Sequence, residues 1–157
     1  MKLSGFLGLL CSILLMVNDA SAKTALCQSK GAITSVKKVK SGRTEYLIFT
    51  INKPAGYKAS MTTLRNPNEM SEGGDANTVV KGCKYKKIKF NSVYWTCQIA
   101  EDFSAATTCI EGVKRLEQFE GVVSYMLAYS CKQNPKIQFY WYAVSKTQIK
   151  YVVRVKY

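Results

Sequence analysis

Residues 122–157 hold three runs of apolar alternation separated by short polar breaks, and nothing else in the chain limits its fold so strongly. In the first run Val123, Tyr125, Leu127, Tyr129 and Cys131 share one face; in the last, Ile149, Tyr151, Val153, Val155 and Tyr157 do. Period two is the signature of a strand with a buried and an exposed side. The middle run sets Ile137, Phe139, Trp141 and Ala143 on one face and Gln138, Tyr140 and Tyr142 on the other. The breaks, 132–136 and 145–147, are too short for a crossover, so the sequence predicts a C-terminal three-stranded antiparallel meander. Symmetric closure sets Tyr129 opposite Phe139, Leu127 opposite Trp141, Trp141 opposite Tyr151 and Phe139 opposite Val153 on the core side. The other side then pairs Tyr142 with Lys150 and Gln138 with Arg154, with Lys136 and Lys156 at the edge. That face is wet, basic and partly aromatic.

Upstream, Lys37, Lys38 and Lys40 would guard a short N-terminal edge strand. Leu47, Phe49 and Ile51 alternate with Tyr46, Ile48 and Thr50, and the turn signal at 53–56 predicts a hairpin with the return arm 57–64. Residues 65–78, with Pro67, Gly73 and Gly74 as breaks and Glu69, Glu72 and Asp75 among them, form a long loop rather than an element. Their carboxylates suggest calcium, but the spacing is not that of an EF-hand, and a solvated acidic loop is the simpler reading. Five lysines crowd 81–89, so a strand there shows lysine on both faces and should lie at an exposed edge. Val93, Trp95, Cys97 and Ile99 alternate with Tyr94, Thr96 and Gln98, which points Trp95 and Cys97 to the core. Phe103, Ala106, Ile110, Val113, Leu116 and Phe119 recur at three- and four-residue steps, predicting one helix near 103–120, capped by Asp102 or Ser104 and stopped at Gly121. The expected fold is therefore α+β: an antiparallel sheet of six or seven strands with one helix across it. The alternative is an all-β sandwich in which 103–120 becomes strand and loop.

The first 22 residues have the form of a secretory signal, with Lys2, an apolar stretch and the small-x-small site Ala20-Ser21-Ala22. The apolar stretch is shorter than the roughly 20 residues of a membrane span. A secreted or periplasmic single domain over 23–157 is expected. Lys2 and Asp19 leave with the signal, so the formal charge stays at +13, and without histidine it hardly varies near neutral pH. Cys27, Cys83, Cys97, Cys109 and Cys131 remain, which in an oxidising compartment means two bridges and one leftover thiol. A monomer is expected, with a disulfide-linked dimer through the odd cysteine as the alternative.

With no histidine, Ser-His-Asp and Cys-His nucleophile activation are closed, as are histidine bases and histidine metal ligands. No paired Cys-x-x-Cys zinc pattern, P-loop or dinucleotide fingerprint occurs, and no cofactor is implied. Glu111, Glu117 and Glu120 lie on expected exposed helix faces. What is in excess is cationic surface with interleaved phenols: Lys84, Lys86, Lys87 and Lys89 with Tyr85, and Lys146, Lys150, Arg154 and Lys156 with Tyr140 and Tyr142. Such a surface suits a non-catalytic module that binds an anionic polymer, namely an envelope polymer, acidic glycan or extracellular nucleic acid. The bland reading of the same charge is solubility and guarded edges. Two other functions stand beside it: an effector or inhibitor of one acidic extracellular protein, using the 65–78 loop, and a histidine-free toxin-like hydrolase using Glu111, Lys114, Arg115 and Glu117.

Overall fold

The computed structural model describes residues 27–52, 58–64, 83–97, 109–130 and 134–157. Nine strands follow one another: β1 (Ala32–Ser41), β2 (Thr44–Asn52), β3 (Lys58–Leu64), β4 (Lys84–Asn91), β5 (Trp95–Thr96), β6 (Ile110–Phe119), β7 (Val122–Tyr129), β8 (Lys136–Ala143) and β9 (Gln148–Lys156). They build a five-stranded sheet in the order β5-β1-β2-β9-β8 and a four-stranded sheet in the order β3-β4-β7-β6. Every pairing is antiparallel except the short parallel contact of β1 with β5.

The alternation seen in the sequence supplies both inner faces. Leu47, Phe49 and Ile51 from β2 and Ile149, Tyr151, Val153 and Val155 from β9 meet Ile88 and Phe90 from β4 and Val123, Tyr125 and Leu127 from β7 in one core. Phe49 lies against both Phe90 and Tyr125, and Phe90 reaches Tyr151, with ring centroids 5.0, 5.1 and 5.3 Å apart. Each such pair adds about 0.5–1.5 kcal/mol beyond the area it buries. These contacts set β2 over β7 and β9 over β4. Lys38 on β1 donates to the Ile110 carbonyl on β6, so the two sheets run in matching order.

Glu45 joins the layers at one end. It is fully buried; Oε1 accepts the Cys109 N–H and the Tyr157 hydroxyl, and Oε2 accepts the Ile110 N–H. A disulfide links Cys27, just before β1, to Cys97, just after β5. Cys109 is also disulfide-bonded, to a partner outside the described residues, and Cys83 is a free thiol.

Several expectations are corrected. The predicted helix does not form where its span is described, because 110–119 is β6; the remainder, 103–108, lies outside the described residues. The register shift at Ile110/Gly112 explains the start of the deceptive period, since it inserts a residue and stretches a two-residue repeat to three; a second shift lies at Arg115/Glu117. Ile110 and Val113 thus both face the core, whereas Leu116 packs on the opposite side.

The meander is also split. β8 and β9 pair in the expected register, with Trp141 opposite Tyr151, Phe139 opposite Val153, Tyr142 opposite Lys150 and Gln138 opposite Arg154. β7, however, lies in the other sheet between β4 and β6. Its residues from Val123 to Tyr129 are buried on both faces, which suits a central strand and not a meander edge.

Likewise, β2 and β3 do not form a hairpin, since they lie in different sheets. β4 is an interior strand despite its lysines. Trp95 is 40% exposed on the two-residue edge strand β5 and does not enter the core.

Candidate functional site

Strand pairing places four rows of side chains across the outer face of the five-stranded sheet. From β1 to β8 they read Ser35-Thr50-Lys150-Tyr142, Lys37-Ile48-Val152-Tyr140, Val39-Tyr46-Arg154-Gln138 and Ser41-Thr44-Lys156-Lys136. Five cations, Lys37, Lys136, Lys150, Arg154 and Lys156, therefore share one surface with the phenols of Tyr46, Tyr140 and Tyr142. The only acid on any strand of this sheet is Glu45, which is buried on the inner side. No carboxylate offsets the positive field among the described residues of this face.

Two local features sharpen that field. Lys136 stands directly opposite Lys156, a like-charge pair that costs stability in a sheet unless an anion lies between the ammonium groups. Arg154 donates from Nη1 to Gln138 Oε1 at 3.2 Å, and its Nε is buried with no hydrogen-bond partner among the described residues. The guanidinium is braced across two strands and keeps donors to spare. Tyr140 and Tyr142, two residues apart on β8, are 42% and 44% exposed, so their rings are open for stacking. Lys146 is exposed in the β8–β9 turn, beyond the row that ends in Lys150 and Tyr142.

The remaining expected site residues lie elsewhere. Lys87 and Lys89 are on the outer face of the four-stranded sheet, the opposite side of the sandwich. There Lys87 pairs with Glu117 at 3.6 Å, and Glu117 also accepts the Ser124 hydroxyl. Lys84 and Lys86 follow the parity of Ile88 and Phe90 but sit toward the strand's end, where they donate to Asn134 Oδ1 and Thr63 Oγ1. The lysines of β4 and the cations of β9 therefore do not make one surface.

Sequence reading missed Tyr46 and placed Lys37, with Lys38 and Lys40, only on a guarded N-terminal edge strand. Both join the face only through β1–β2 and β2–β9 pairing, which spacing does not reveal. The residues suggested for hydrolysis do not converge. Arg115 turns to Thr96 and Gln118 at 2.6 and 3.2 Å, whereas Glu117 is engaged by Lys87 and Ser124.

The free thiol of Cys83 packs with Tyr85, Met126, Ala128 and Leu116 in a small second cluster. Burial, and then the Glu111 carboxylate, push its pKa above the usual thiol value. Among the described residues no group of three His, Cys, Asp or Glu side chains is placed to hold a metal ion, and no helix is long and apolar enough to cross a membrane. No known protein-family model matches this chain, and neither does any curated protein sequence.

Proposed function

We propose that this chain is an exported, non-catalytic module that holds an anionic polymer across the outer face of its five-stranded sheet. The ligand class is an acidic glycan, an envelope polymer or nucleic acid outside the cell. The observation that carries this reading is the gathering of five cations and three phenols on a face with no exposed carboxylate among the described residues, including the opposed Lys136–Lys156 pair. Lysine outnumbers arginine there, which favours tracking a charged backbone over bidentate recognition of one group. The phenols add stacking surface for sugars or bases. Export rests on the N-terminal signal and agrees with the Cys27–Cys97 bridge.

The test is the salt dependence of binding to heparin and to single-stranded nucleic acid. Each neutralised charge contributes about 0.7–0.9 to the slope of log K against log salt, so five charges give a slope of roughly −3.5 to −4.5. Affinity should then fall roughly 100- to 500-fold between 50 and 200 mM salt. The double variant Lys150→Gln/Arg154→Gln should flatten the slope by about 1.4–1.8. Lys87→Gln/Lys89→Gln removes the same net charge from the opposite face and should leave the slope nearly unchanged. Equal responses from the two double variants would mean diffuse attraction by net charge and would defeat the proposal.

A further inference from the structure

Independently of what the sheet face binds, β8 is an edge, and among the described residues its only strand neighbour is β9. An edge strand offers a row of backbone N–H and C=O groups to any other strand, and folded proteins blunt such edges with brevity, charge, proline or bulges. Here three edges are blunted. β5 has two residues; β6 carries two register shifts with Glu111, Lys114, Arg115 and Glu117; β3 is polar through Lys58, Ser60, Thr62 and Thr63. β8 has no such protection beyond its first residue, running from Ile137 to Val144 without charge, proline or register shift. Trp141 and Val144 on this edge are each 49% exposed, and Tyr142 is 44% exposed.

The hairpin fixes which backbone groups face the edge. The Val144 N–H donates to the Gln148 carbonyl at 2.9 Å, so even-numbered residues of β8 point toward β9. Ile137, Phe139, Trp141 and Ala143 then turn their N–H and C=O groups outward.

We infer that this edge pairs antiparallel with β8 of a second copy of the chain, about a two-fold axis through Tyr140. Tyr140 is the midpoint of 136–144, so that axis gives the longest overlap. It places Phe139 of one copy opposite Trp141 of the other, Gln138 opposite Tyr142, Ile137 opposite Ala143 and Lys136 opposite Val144. No cation directly faces a cation, and aromatic rings meet across the seam. The outward residues sit in register to exchange roughly eight backbone hydrogen bonds. A strand from an unrelated protein would supply the backbone bonds without this two-fold match of side chains. One strand pair covers about 1,000 Å² at most, the low end for a specific interface, so the dimer should be weak and concentration-dependent.

On the axis the two Tyr140 Cα atoms lie about 4.5 Å apart, as in any non-hydrogen-bonded antiparallel pair. That is within disulfide reach. In full-length mature protein carrying Cys83→Ser, Tyr140→Cys should therefore cross-link to a covalent dimer under mild oxidation, whereas Tyr142→Cys, which faces Gln138, should not. Sedimentation velocity without any polyanion should show a concentration-dependent dimer of the unsubstituted chain. Ala143→Pro removes an outward N–H but no bond to β9, and should weaken the dimer roughly tenfold or more. Cross-linking of both cysteine variants alike or of neither, a dimer indifferent to Ala143→Pro, or a monomer that instead takes up an added β-strand peptide of different sequence would each overturn the inference.

Discussion

Replacing Glu45 by glutamine tests how the two sheets are held together. Its carboxylate accepts two backbone N–H groups from the start of β6, each at 2.8 Å, and the Tyr157 hydroxyl at 3.1 Å. Glutamine has the same shape but only one oxygen, so either the Cys109 or the Ile110 N–H must face an NH₂ group. A buried donor left without an acceptor costs about 1–3 kcal/mol, and the surviving bonds lose the added strength of an ionised acceptor. The expected loss for Glu45→Gln is roughly 2–4 kcal/mol, a large part of the 5–15 kcal/mol that holds a typical domain. Tyr157→Phe is the control, because it removes donor and hydrogen bond together and orphans nothing; about 0.5–1.5 kcal/mol is expected. Urea unfolding with disulfides intact measures both, and the midpoints convert to free energy if the slopes agree. An apolar residue cannot rescue the site, since the orphaned donors belong to the backbone. A Glu45→Gln variant within about 0.5 kcal/mol of the parent would refute the view that this carboxylate clamps the sheets.

Two smaller tests address the same fold. Gly121 has φ +76°, and a Cβ there would lie 2.7 Å from a ring carbon of Tyr94, so Gly121→Ala should cost about 1–3 kcal/mol in urea unfolding. Adding Tyr94→Ala should relieve the clash but not the backbone strain, recovering part of that loss. Because the Cys83 pKa is raised, less thiolate is present at any pH below it, and iodoacetamide should react more slowly at pH 8 than with an unstructured thiol. The rate should climb as pH rises, and Glu111→Gln should increase it at pH 8.

The parts of this fold that were legible in the sequence are those decided within one hairpin. The β8–β9 register follows from a short turn and two alternating strands, and it brings Tyr142 to Lys150 and Gln138 to Arg154 as expected. Partners far apart in the chain were not legible. Tyr46 meets Arg154, and β7 leaves β8 for the opposite sheet, through pairings that no local pattern encodes. The first bulge of β6 misled period counting, because its extra residue brings Ile110 and Val113, three apart, to the same core face, while Leu116 and Phe119 continue the spacing without sharing that face. Charge misled in a different way: the lysines of β4 are consecutive enough to look like one cluster, yet strand parity sends Lys87 and Lys89 outward and Lys84 and Lys86 toward the other side.

This parity also separates the two faces chemically. On the four-stranded sheet Lys87 has Glu117 nearby, so an arriving anion must compete with a carboxylate already in place. On the five-stranded sheet every exposed charge is positive, and Lys136 and Lys156 repel each other until something negative arrives. An anionic ligand there relieves strain instead of displacing a partner, so equal numbers of lysines need not make equal binding surfaces. Pairing through β8 would extend that face without reversing its sign, because side chains alternate across a seam as they do within a sheet. The polymer reading depends on where the charges point; the pairing reading depends on uncharged residues and outward backbone groups. Binding by a strict monomer would remove only the second, and a polymer-indifferent dimer only the first.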